Sequence, residues 1–294
     1  MIPIIDTHQH LWDLSRFRLP WLDEVEPLNR SFLPADYAAA AEGCAVERTV
    51  YMEVDVAPEQ IAAEVDHVGR QCADPADPMA AAVVSGRPAD PGFADWVDRL
   101  RDEPHVRGVR RILHADAPPG TCLREAFVNG MRQLGDAGLS FDLCMRPGEL
   151  ADAATLAGRC PGTLLILDHC GNADPNIVAG AAEPGQGPFA HTAGLWRDGI
   201  SALGQRPNVV CKISGIVARV TEGWSADLLA PTVDHCLDAF PPDRVVFGGD
   251  WPVCTLGASL GEWVRALRRI IAPRSEEDQR ALLHGNAARL YRLD

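Results

Sequence analysis

The stretch Thr163-Leu164-Leu165-Ile166-Leu167-Asp168-His169 decides how this chain folds. An apolar run without polar alternation is the pattern of a strand buried on both faces, and such strands belong to parallel sheets covered by helices. The run ends on an acid and an imidazole. Seven further short apolar, β-branched runs flank it, so the predicted strands are residues 2–7, 48–54, 79–85, 106–113, 139–145, 163–169, 208–214 and 244–250. Helical patterns fall between them, at 58–72, 93–101, 123–137, 148–159, 191–205 and 228–240, with a last helix over 275–290. Strand–helix units averaging roughly 35 residues predict one closed parallel barrel, a single-domain (β/α)8 fold over 1–294. A doubly wound open sheet is the alternative, and no GxGxxG follows a strand to favour its dinucleotide-binding form.

Composition narrows the function. The 294 residues carry a formal net charge of -14 and are 47% hydrophobic. No basic stripe suits a nucleic acid, and no apolar run approaches the roughly 20 residues that span a bilayer. The start Met1-Ile2-Pro3-Ile4-Ile5 reads as a first strand rather than a signal peptide. Nine cysteines without a CxxC pair read as reduced thiols in a cytoplasmic protein, several of them in core strands (Cys144, Cys211). A small-molecule substrate is the partner this leaves, with a homo-oligomer left open. Two long connections, from Leu11 to about Tyr37 and over 171–188, are expected on the C-terminal face above a site.

Chemistry gathers at strand ends. In Asp6-Thr7-His8-Gln9-His10 the two histidines stand two residues apart, so both side chains project to the same side of an extended chain. Such a pair can hold a divalent ion or flank a reacting group. His169 follows the sixth run, with Asp168 as a candidate partner. Asp250 ends the eighth run in Phe247-Gly248-Gly249-Asp250-Trp251-Pro252, where the glycines permit close backbone approach. A carboxylate at an apolar barrel mouth needs a metal, a histidine or a water beside it. Arg110, Arg111 and His114 close the fourth strand as candidate substrate ligands, with only one of the adjacent arginines able to point inward. Glu53 and Asp55 are candidate acceptors for substrate hydroxyls. Lys212 is either a substrate ligand or a buried structural cation. Trp12, Trp21 and Trp251 are candidates for an apolar wall, or for plain packing. His67, His105, His191, His235 and His284 read as surface or capping residues.

The segments Ile5–Trp12, Leu167–Asn172, Val210–Gly215 and Phe247–Pro252 together resemble the amidohydrolase superfamily, in its lactonase-rich barrel branch. The resemblance spans essentially the whole chain. It implies that His8 and His10 are the first-strand pair, that His169 is the sixth-strand histidine, and that Asp250 is the acid that deprotonates water. It also implies a carboxylated lysine on strand 4 and a histidine on strand 5 in two-metal members, and this sequence has neither. The expectation is one divalent ion, zinc first, held by His8, His10 and Asp250, or none. The implied activity is opening of a sugar-acid or related carboxylate-bearing lactone, with Asp250 as base and His169 polarising the carbonyl. The rivals are a metal-dependent decarboxylase on the same scaffold and a barrel that binds a small ligand without catalysis.

Overall fold

The computed structural model describes residues 1–115 and 117–293. Eight parallel strands lie in chain order in one sheet. They are β1 (Ile4–Gln9), β2 (Val46–Met52), β3 (Met79–Ser85), β4 (Val106–Ile112), β5 (Ser140–Cys144), β6 (Leu165–Leu167), β7 (Val209–Ile213) and β8 (Val245–Phe247). A helix follows every strand, among them Ile61–Cys72 after β2, Glu125–Asp136 after β4 and Leu260–Ile271 after β8. The last of these opens on a capping box, Ser259 accepting from the Glu262 N–H at 3.3 Å and Glu262 accepting from the Ser259 N–H at 2.8 Å. This is the (β/α)8 barrel the apolar runs predict.

Strand parity sorts the interior into two storeys. The lower storey is apolar, with Val50, Met52, Ala81, Val83, Ile166, Val210 and Val246 meeting Tyr291 of the C-terminal helix, which plugs that end. Two residues further along several strands the inward positions become charged or polar: Arg110, Asp142, Asp168 and Lys212. The barrel is therefore a packed core below and an ionic layer above, directly under the C-terminal mouth.

Closure between β1 and β8 uses side chains and the turn after β8. Thr7 Oγ1 donates to the Phe247 carbonyl at 2.7 Å. The Asp6 carboxylate accepts from the His8 N–H at 3.0 Å, from the Gly249 N–H at 2.7 Å and from Tyr37 OH at 2.7 Å. A Cβ on Gly249 would collide with that carboxylate, and one on Gly248 would sit 2.7 Å from His8 Cβ. The close approach expected of this glycine pair is thus required by the seam.

Two predicted strands are shorter than their apolar runs. β6 and β8 each stop after three residues, so His169 and Asp250 lie in turns just beyond strands rather than at their last positions. The chain leaves the ladder because residues 169–172 adopt left-handed φ values of 56°, 52°, 68° and 57°. The long 171–188 connection contains the short helix Pro175–Val178, begun by Asp174 accepting from the Asn176 N–H at 2.9 Å. His191, read as a surface or capping residue, is buried; its Nε2 accepts from the Asp174 N–H at 3.4 Å and its Nδ1 lies 2.8 Å from the Phe189 carbonyl.

Candidate active site

His8 sits in β1 and His10 just past it, and their shared direction brings the two Nε2 atoms to 3.1 Å. Asp250 closes the group: its Oδ1 lies 3.6 Å from His8 Nε2 and 3.5 Å from His10 Nε2. His169 Nδ1 stands 4.0 Å from Asp250 Oδ2. His169 and Asp250 both carry φ of 56°. Among non-glycine residues that conformation is uncommon and best tolerated by types such as Asp, Asn and His, and it is a frequent mark of functional sites. Here it swings both side chains off the strand axis into the mouth.

Hydrogen bonds fix the imidazoles. His10 Nδ1 faces the Met52 carbonyl at 3.0 Å, so Nδ1 carries the proton and Nε2 keeps its lone pair toward His8 and Asp250. Ser214 Oγ accepts from the His169 N–H at 3.3 Å and lies 3.0 Å from His169 Nδ1. Donation from the serine hydroxyl to Nδ1 would put the proton of a neutral His169 on Nε2. Gly215 must be glycine beside it, since a Cβ there would collide with the His169 ring. Ser214 and Asp6 were not foreseen as site residues; only their place in the quoted segments hinted at them.

The ionic layer supports this group from below. Lys212 Nζ lies 2.6 Å from Asp142 Oδ2, 3.0 Å from Asp168 Oδ1 and 3.3 Å from His8 Nδ1. Arg110 donates through Nε to Glu53 Oε1 at 2.6 Å and through Nη2 to the Glu53 carbonyl at 3.0 Å, and its Nη1 is 3.6 Å from Asp168 Oδ2. Asp168 therefore makes its close contacts with His8 and the two cations, and stands farther from His169, the partner its neighbourhood in sequence suggested. Glu53 stands behind Arg110, its other oxygen accepting from the Asp55 N–H at 2.8 Å. Behind this pair the buried Glu64 accepts from Tyr51 OH at 2.9 Å and from the Val54 N–H at 3.0 Å. Burial, with the charge of Glu53, pushes the Glu64 carboxyl up to about 8.

Burial pushes His8 well below the ordinary imidazole range, against the attraction of Asp168. Burial also lowers His169, opposed by Asp250 and Asp168. Asp250 behaves in the opposite sense. Burial works against its charge, but the neighbouring imidazoles of His169, His10 and His8 together bring it down to about 2. The mouth thus presents an ionised carboxylate beside the imidazoles of His8, His10 and His169.

The donors fit a metal. A tetrahedral zinc with bonds of about 2.0–2.1 Å separates its ligands by roughly 3.3–3.4 Å, and the His8–His10–Asp250 edges of 3.1, 3.5 and 3.6 Å match one face of that figure. These three residues form a group able to hold one divalent cation, and His8, Asp168 and His169 form a second. The second group already has Lys212 and Arg110 against its carboxylate, so protein cations supply the positive charge there.

A cavity of about 360 Å³ opens above these residues, with Asp250, His10, His169 and Arg110 at its floor and Trp21, His114, Phe189 and Arg219 among its walls. Of the expected wall tryptophans, Trp21 borders this cavity. Trp12 and Trp251 are buried in edge-to-face clusters, Trp12 with Trp21 and Phe32 and Trp251 with Phe32 and Tyr37. Arg111 points to the opposite face of β4 from Arg110, as the alternation of side chains requires, and Lys212 lies wholly inside the ionic layer. No helix among the described residues is long and apolar enough to cross a membrane, and all nine cysteines are free and buried.

Polar groups gathered at the carboxyl mouth of a (β/α)8 barrel place the chain among the barrel enzymes. The chain belongs to the amidohydrolase family, whose profile matches residues 5–293. It is 29% identical to an L-fucono-1,5-lactonase of Burkholderia multivorans, over 98% of this chain and 96% of that one. A crystal structure of an amidohydrolase from Burkholderia multivorans with bound zinc superposes with a TM-score of 0.84 at 28% identity, covering 99% of this chain and 100% of the other. A 2,6-dihydroxybenzoate decarboxylase from Rhizobium shares the fold at a TM-score of 0.63 and 15% identity, each chain covered in full.

Proposed function

We propose that this protein is a lactonase, opening a sugar-acid or related carboxylate-bearing lactone by attack of water, with Asp250 as general base. The observation that carries the reading is Asp250 itself: a carboxylate held ionised at a cavity floor, within 4.0 Å of three imidazoles. The lactonase named among its relatives supports the same chemistry. Asp250 takes one proton from water as the water oxygen bonds to the ring carbonyl carbon. The Nε2–H of His169 donates to the developing oxyanion. Collapse of the tetrahedral adduct breaks the ring C–O bond, and the departing alkoxide receives the proton from Asp250. The product is an open hydroxy acid, which gives its carboxyl proton to solvent. His8, His10 and Asp250 would hold a divalent ion, zinc first, which when bound supplies Lewis-acid polarisation and a more acidic water. An activated ester demands less of a base than an amide does, which suits the ionised low-pKa carboxylate.

A pH-indicator screen of aldonolactones and muconolactones, run with and without chelator, tests this. Acid release from at least one ring is the expected result. Inert lactones combined with CO2 release from an aromatic acid, by protein carrying one tightly held metal, would transfer the site to decarboxylation.

A further inference from the structure

We infer that Arg219 selects the substrate by binding a carboxylate carried on the lactone ring; this deepens the lactone reading and rests on it for the word lactone. Two guanidinium groups border the cavity. Arg110 is fully engaged, with Nε and Nη2 on Glu53 and Nη1 toward Asp168. Arg219 is different. It ends the short turn Ile216–Arg219 just past β7. Its guanidinium carbon sits over the Phe189 ring, 3.9 Å from the centroid. Nη2 donates to Asn172 Oδ1 at 3.3 Å, and the Asn172 amide nitrogen donates to the Met145 carbonyl at 2.9 Å, which settles the orientation of that amide.

These are positioning contacts, and none is a counter-charge: among the described residues the Arg219 guanidinium has no ion pair. Burial lowers its pKa, with Asp174 and Asp250 acting the other way, and a guanidinium keeps its proton regardless. A half-buried cation held over an aromatic face and tied at one nitrogen has its remaining N–H groups preorganised for two-point capture of a carboxylate. His114 packs against the same Phe189, ring centroids 4.9 Å apart, and is held neutral because burial and Arg110 push it down to about 3, so it supplies no competing positive charge. A neutral lactone would leave this fork in the cavity without a directly paired anion, whereas a ring carboxylate provides one and turns the carbonyl toward His169 and Asp250.

The test uses two probe pairs on the full chain. The first is a γ-lactone bearing a ring carboxylate and its primary amide, followed by turnover. The second is cyclopentanone-3-carboxylate and its amide, which have no ester to open, followed by calorimetry. Wild-type protein should prefer the carboxylate by about 30-fold or more in kcat/KM and in affinity, the scale of hydrogen bonds to a charged group. Arg219→Gln should erase the preference in both pairs, mostly through KM, while changing the amides less than about threefold; Arg219→Lys should keep part of it. Melting temperature and circular dichroism of the variants confirm folding. A carboxylate preference that survives Arg219→Gln, or none in the wild type, including no detectable binding of the carboxylate, overturns the inference. A preference seen with the cyclopentanone pair and lost in Arg219→Gln, with both γ-lactones inert, upholds Arg219 and breaks the lactonase reading instead.

Discussion

Arg110 on β4 and Arg219 past β7 reach the same cavity from two kinds of structure. Arg110 belongs to a floor made of strand residues, where each strong cation already has its carboxylate: Arg110 with Glu53, Lys212 with Asp142 and Asp168. Arg219 belongs to a rim made of connections, where Phe189, Asn172 and a turn hold a charge that has none. Buried charges without partners are costly, so the floor is complete before any substrate arrives. The rim leaves its charge half-buried, where water can serve until a ligand replaces it. On the proposed reading the lesson is a division of labour: the floor sets the reaction and the rim sets what reacts.

The comparison can be broken at several points. Asp250→Asn should lower kcat by about 10^3–10^4-fold with the melting temperature preserved, measured by steady-state kinetics on the best lactone; near-normal turnover would remove Asp250 from the chemistry. Lys212→Met should cost about 3–5 kcal/mol in urea denaturation, because it strands Asp142 and Asp168 in a dry interior. Adding Asp142→Asn should restore part of that loss, and if the single variant unfolds at the wild-type midpoint the floor is not held by its ion pairs.

Glu64 offers a subtler probe of the floor. Its folded-state pKa, about 8, lies above the usual carboxyl value of 4.5. Its contribution to stability is therefore full below the unfolded pKa and is lost as pH rises toward about 8. Between those limits wild-type stability should fall relative to Glu64→Gln by up to about 1.4 kcal/mol per pH unit. A difference independent of pH, in paired denaturation curves, would mean that Glu64 is ionised in the fold. The smallest effect belongs to the rim: Phe189→Ala should raise KM by about three- to tenfold, the scale of a cation–π contact of about 1 kcal/mol, and leave kcat and folding alone. A loss of kcat equal to that of Asp250→Asn would erase the distinction between rim and floor.

Much of the floor was legible because strands write their inward residues at a fixed period. His8, His10, Arg110 and Lys212 follow from parity once the apolar runs are placed, and opposite pointing of Arg110 and Arg111 follows from it as well. Partners across the barrel were not legible, since Lys212 meets Asp142 seventy positions away and no local pattern reports such a meeting. This is why Asp168 looked like a support for its neighbour His169 and proved to face His8. The left-handed turn after β6 escaped notice because it begins at His169 and Cys170, before the Gly171–Asn172 pair that tolerates positive φ most readily. The rim was least legible. Arg219 is one arginine in a turn, and its importance depends on Phe189 and Asn172 arriving from another connection. Trp12 and Trp251 show the converse, as aromatic residues near a site are packing until geometry says otherwise.

Asp6 receives the backbone of Gly249, 243 positions later in the chain. A nascent polypeptide therefore carries no partial version of this centre: both N-terminal imidazoles wait, unaligned with any base, until the last barrel strand has left the ribosome and docked. Truncation anywhere before that point yields a silent product rather than a sluggish one, and hydrolytic output becomes a readout of whether the chain was made through its eighth strand.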